Sequence, residues 1–166
     1  MGMKFRPGLL KNDMYQVFLF QCPAFLPVSF FSHSWFVVNK KGEISRWEVG
    51  FGGHQSEIGW EHLDINNWPP FTGTPMFFGF PGKHQPLWKG KLRTYVEGGD
   101  ESSLAYRMAE FISNSKATYS YRKEYHATAG PNSNTYVQWV LDAFPEFKAK
   151  LPFSAIGRSF PTKPKS

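Results

Sequence analysis

The chain has 166 residues, and a hydrophobic share of 41% with 17 phenylalanines supports a substantial core and argues against wholesale disorder. Its 19 basic and 13 acidic residues leave a formal charge of +6, but the basic residues are scattered and no nucleic-acid reading motif accompanies them. Cys22 is the only cysteine, which excludes an intrachain disulfide and a multi-cysteine metal site.

In chain order, Lys4, Arg6 and Lys11 precede the apolar run "MYQVFLFQCPAFLPVSFF", which superficially resembles a signal peptide. Pro23 and Pro27 interrupt it, Gln21 lies inside it, and no small-x-small cleavage site follows. Its unbroken pieces are too short to span a bilayer. The expectation is a buried strand over Met14–Cys22 in a cytoplasmic chain, with secretion left open. Gly2 does not open a myristoylation signal, because Arg6 stands where Ser or Thr is required.

"SHSWFVVNKKGEISRWEVGFGG" then predicts a β-hairpin turning at Lys41-Gly42, with Lys40 opposite Glu43 and His33 opposite Gly50. Side chains alternate between the faces of a strand. His33, Trp35 and Val37 therefore share a face with Arg46 and Glu48, and His33 stands diagonally across from Glu48. Phe36, Val38, Trp47 and Val49 take the other face.

Residues 52–94 are rich in Gly, Pro, Trp and Phe and read as an elaborated loop with one short strand around Met76–Phe80. Its aromatic residues, Trp60 and Trp68 among them, suit either core packing or an apolar groove. The histidines His54, His62, His84 and His126 match no familiar metal-ligand spacing, and "HQSEIGWEHLD" lacks the H-E-x-x-H pattern. The glycines at 50, 52 and 53 make neither a dinucleotide fingerprint nor a Walker loop. No cofactor and no metal are expected.

"GDESSLAYRMAEFISNS" predicts an amphipathic helix with Leu104, Met108, Phe111 and Ile112 on its apolar stripe. "TYSYRKEYH" alternates as a strand does. A second helix runs from about Asn134 to Phe144, burying Tyr136, Val137, Val140, Leu141 and Phe144, and Pro145 ends it. This order of elements predicts an α+β domain over residues 1–160, an antiparallel sheet with two packed helices, and a flexible basic tail at 161–166.

The start of the second helix, "GPNSNTYVQWV", raises a chemical question. Ser133 suits a helix cap, as do its neighbours Asn132 and Asn134. A helix N-terminus also presents amides to a developing anion, but the dipole alone, worth about 0.3–1 kcal/mol, cannot ionise an alcohol. Ser133 acts as a nucleophile only with a base in reach. His33 is the candidate base and Glu48 the group that would orient it; the alternative is a half-buried histidine satisfied by a carboxylate.

Taken in order, "HSWFVVN", "SRWEVGFGG", "GPNSNTYVQWV" and "LPFSAIG" resemble a bacterial family known as domain of unknown function 3750, from about Tyr15 to Phe160. A histidine opening a strand, followed far downstream by a polar helix start, is more distantly similar to the circularly permuted NlpC-like, papain-like superfamily. Lecithin retinol acyltransferase-like proteins belong to it. That likeness implies a permuted papain-like arrangement with His33 as base, Glu48 as orienting group and Ser133 in the place of the attacking cysteine. Serine cannot form the thiolate ion pair on which such sites rely. Two readings follow. One is a hydrolase or acyltransferase-like protein acting on an amide or ester of a small-molecule, peptide or lipid-like substrate. Ser133, His33 and Glu48 would carry the chemistry, with Asn132, Asn134, Trp35 and Trp60 as binding residues. The other is a catalytically silent binding domain on the same fold.

Overall fold

Residues 5–77 and 85–162 are described in a computed structural model of the chain. The apolar run near the N-terminus forms β1 (Tyr15–Pro23), and β2 (Ser32–Lys40) and β3 (Glu43–Ser56) follow as a hairpin. Next come β4 (Gly59–Ile65), the short β5 (Thr72–Pro75) and β6 (Leu87–Lys89), and β7 (Lys91–Gly98). The helices α1 (Leu104–Ser113), α2 (Ser115–Thr118) and α3 (Ser133–Ala143) complete the order. The main sheet is five-stranded in the order β4-β3-β2-β1-β7, while β5 and β6 pair separately. Every neighbouring pair in the main sheet is antiparallel. With α1 and α3 packed on it, the protein is α+β.

The hairpin turns where its residues allow it. Lys41 and Gly42 have φ of 52° and 99°, the left-handed pair that suits a two-residue turn between twisted strands. Lys40 pairs with Glu43 as expected. Val17, Leu19, Phe36, Val38, Trp47 and Val49 face the helices and meet Met108, Ile112, Tyr136, Val137 and Val140. Each such aliphatic side chain contributes about 1.5–3 kcal/mol by leaving water. The opposite face buries Phe18, Phe20, Trp35, Val37 and Leu92 beneath the N-terminal segment and the β5–β6 unit. Coverage on both faces explains why β1 is buried at seven consecutive positions.

Two expectations are corrected, and a third falls mostly outside the described residues. Residues 52–94 are not chiefly loop: β3 continues to Ser56, a two-residue turn at Glu57-Ile58 follows, and β4 joins the sheet with Ser56 opposite Gly59. Of the strand expected around Met76–Phe80, Phe77 enters an isolated bridge to Leu26, and Phe78–Phe80 lie outside the described residues, as does His84. Residues 118–126 form no strand. Tyr119 is buried against Tyr136, and the segment's one backbone hydrogen bond to β4 is from the His62 N–H to the Arg122 carbonyl, at 2.7 Å. A single bond makes no ladder. Of the expected tail, Pro161 and Thr162 are described, and the Thr162 hydroxyl donates to Asp142 at 2.8 Å. Among the described residues no helix is long and apolar enough to cross a membrane.

Candidate functional site

The β2–β3 ladder runs from Lys40–Glu43 to Phe36–Trp47 and stops, although both strands continue. His33 and Gly50, expected to pair, lie beyond its end. On the other side of β3, the register with β4 breaks between Val49 and His54, across the glycines Gly50, Gly52 and Gly53. The unpaired ends border a cavity of about 380 Å³, whose lining includes His33, Glu48, Asp64, Asn132, Ser133 and Asn134.

Despite the lost ladder, the diagonal contact across the hairpin forms. His33 Nε2 is 2.7 Å from Glu48 Oε2. Glu48 is held in turn by Arg46, whose Nη2 donates to Oε2 at 2.8 Å and whose Nε lies 2.8 Å from Oε1 in an ion pair. Arg46 is wholly buried, stacks over Trp35 at 4.3 Å and donates through Nη1 to the carbonyls of Pro69 and Thr72. Burial pushes the Glu48 pKa up, but the His33 hydrogen bond and the Arg46 charge outweigh it and hold the carboxyl below its ordinary range. An ionised carboxylate only accepts, so Nε2 of His33 carries the proton and Nδ1 is left as the basic nitrogen. Among the described residues Nδ1 has no hydrogen-bond partner.

The start of α3 is capped by Asn132. Its Oδ1 accepts from the Asn134 N–H at 3.0 Å and the Thr135 N–H at 3.3 Å, and the Asn132 N–H donates to the Thr135 hydroxyl at 3.1 Å. This reciprocal box satisfies the Asn134 and Thr135 N–H groups without the Ser133 hydroxyl. Among the described residues neither the Ser133 hydroxyl nor its backbone N–H has a hydrogen-bond partner. The hydroxyl is therefore uncommitted, at the border of the cavity that His33 also lines.

Neither asparagine has a side-chain donor left for an oxyanion. Asn132 Nδ2 goes to the carbonyls of His126 and Ala127, and Asn134 Nδ2 to those of Ser32 and Ile156, at 2.8 and 2.9 Å. The second set has a positioning consequence. Asn134 follows Ser133 and Ser32 precedes His33, so one hydrogen bond ties the two halves of the site together. The segment "LPFSAIG" reinforces it: Ser154 O accepts the Ser32 N–H at 2.9 Å, and Gly157 O accepts the Thr135 hydroxyl at 2.7 Å.

Trp35 and Trp60 do not line the cavity. Trp35 is wholly buried and donates to the Pro70 carbonyl, and Trp60 is 52% exposed on β4. Asp64 was not foreseen as a site residue. It sits directly across from Glu48 in the β3–β4 ladder, is 6% exposed, and lines the cavity. Burial and the neighbouring Glu48 charge both push its carboxyl above the ordinary range. Tyr125, also at the wall, is pushed up to about 12 by burial and by Glu48. Among the described residues no group of three or more His, Cys, Asp or Glu side chains is placed to hold a metal ion.

An antiparallel sheet splayed at one end, with a histidine–carboxylate pair and a capped helix start on one cavity, defines an α+β protein with a partly open, largely apolar cavity that carries a few polar groups. Residues 14–160 match the family described as "Protein of unknown function (DUF3750)", and the chain belongs to that family. No curated protein and no solved structure matches the chain.

Proposed function

We propose that the protein is a serine-dependent acyl hydrolase or acyltransferase acting on an ester or amide, with a permuted papain-like arrangement of its catalytic elements. The observation that carries this reading is the uncommitted Ser133 hydroxyl on the same cavity as His33, whose other nitrogen is held by an ionised Glu48. In the proposed cycle Ser133 Oγ attacks the acyl carbon and its proton passes to His33 Nδ1. The unpartnered Ser133 N–H stabilises the oxyanion. The leaving alcohol or amine takes the proton from His33, and water or an acceptor alcohol then cleaves the acyl-serine by the same route in reverse. Glu48, anchored by Arg46, holds the imidazole and stabilises its charged form.

The second reading, a binding domain on the same fold, draws on the 3% exposure of Ser133, which limits the approach of a bulky acyl group. Treatment with a serine-reactive fluorophosphonate separates the two. The enzyme reading predicts a covalent adduct on the native protein that disappears in Ser133→Ala. Equal labelling of both proteins, or labelling of neither, contradicts it.

A further inference from the structure

Asp64 has no part in the cycle above, yet its surroundings are built around it. Oδ1 is 2.8 Å from His54 Nδ1, while Oδ2 has no hydrogen-bond partner among the described residues. Oδ2 is not among the sealed, partnerless polar atoms of the described residues; it opens on the cavity that Asp64 lines and is free to accept from an occupant. Gly50 keeps the space for it: a Cβ at that position would stand 2.6 Å from Oδ2.

The charge of the wall points the same way. The chain is basic overall, at +6, but the described residues that line the cavity include Glu48 and Asp64 and no Lys or Arg. Glu48 is already compensated by the Arg46 guanidinium. Asp64 faces Glu48, His54 and His62; the His62 Nδ1 is committed to the Gly50 carbonyl at 2.9 Å. Among the described residues the partly exposed His54 is its one hydrogen-bond partner. Aromatic rings line the same cavity. Phe51 and Tyr125 meet edge to face at 5.5 Å, and Trp68 lines the same cavity. A free carboxylate oxygen on a cavity that aromatic rings also line is the chemistry that recognises an organic ammonium group.

We propose that Asp64 is a specificity-determining residue that binds an ammonium group, so that the cavity takes organic cations and the substrate is an ester or amide carrying an amine. The substrate class rests on the acyl-transfer reading above; the cation site itself does not need Ser133 to react.

The test compares 2-phenylethylamine with its neutral isostere 2-phenylethanol by calorimetric titration at neutral pH. Wild type and Ser133→Ala are expected to bind the amine about tenfold or more tightly than the alcohol, as a charge-assisted hydrogen bond implies. Asp64→Asn should lose that preference, and Gly50→Ala should weaken it by displacing Oδ2. Equal binding of the two compounds, no binding of either, or an unchanged preference in Asp64→Asn overturns the proposal. Fluorophosphonate labelling without an amine preference would remove this inference and leave the acyl-transfer reading. An amine preference without labelling would do the reverse.

Discussion

Asn132 and Thr135 satisfy each other at the start of α3: the Asn132 side-chain oxygen Oδ1 accepts the Thr135 N–H at 3.3 Å, and the Thr135 hydroxyl accepts the Asn132 N–H at 3.1 Å. Ser133, between them, is thereby released from the role its position suggests. The stabilities of two variants should separate accordingly. Asn132→Ala loses two capping bonds and should cost about 1–2 kcal/mol or more. Ser133→Ala removes a hydroxyl with no partner and should shift stability by less than about 0.5 kcal/mol. Chemical denaturation checks both. A large loss in Ser133→Ala would mean that the serine holds the fold.

Arg46 is the structural counterweight of the site. Its removal leaves the 2%-exposed Glu48 charged and buried, so Arg46→Ala should cost about 3–5 kcal/mol. Because the Glu48 pKa is lowered on folding, its contribution is present above the ordinary carboxylate range. It fades as pH falls through the lowered value. Denaturation of wild type and Glu48→Gln across acid pH should show wild type losing more stability than the variant.

Asp64 has the opposite sign. Its pKa is raised on folding, so the fold is favoured when it is protonated, and that contribution is lost as pH rises through the raised value. Asp64→Asn should therefore melt higher than wild type at neutral pH, with the difference shrinking on acidification. Such a gain belongs to a residue retained for binding rather than stability.

Cys22 provides a control. Burial pushes its thiol up, and its sulfur is 3.5 Å from the Thr74 hydroxyl. Iodoacetamide at neutral pH should leave the native protein unmodified and alkylate it in denaturant. Rapid native alkylation would place the thiol at an accessible surface.

The parts of the fold legible in the sequence were those with a strong local period. Alternation in "SHSWFVVN" and "ISRWEVG", with Lys41-Gly42 between them, placed His33 and Glu48 on one face, and the apolar stripe marked α3. The strand β4 was hidden because "GWEHLDI" looks too polar for a sheet. Its Glu61 and Asp64 are buried only because Arg122 and His54 pair with them, at 2.9 and 2.8 Å. The turn at Glu57-Ile58, between Ser56 and Gly59, was the local signal for that hairpin. In residues 118–126 the tyrosines instead follow separate tertiary contacts, Tyr119 against α3, Tyr121 against Phe160 and Tyr125 against Phe51 and His62, which together mimic a strand pattern. The cap at Asn132 is local, closed by Thr135 three residues on, whereas the pairing of Asp64 with His54 and its place opposite Glu48 arise only when β3 and β4 pair, which no local spacing encodes.

Activation of Ser133 by His33 can be followed most directly as the rate at which a fluorophosphonate modifies Ser133, read by intact mass and peptide mapping, in wild type and His33→Asn. Wild type should carry an adduct mapped to Ser133, and the variant should react about 10²–10⁴-fold more slowly, the usual worth of a positioned base. Equal rates in a folded His33→Asn protein, or an adduct mapped to another residue, would contradict activation by His33.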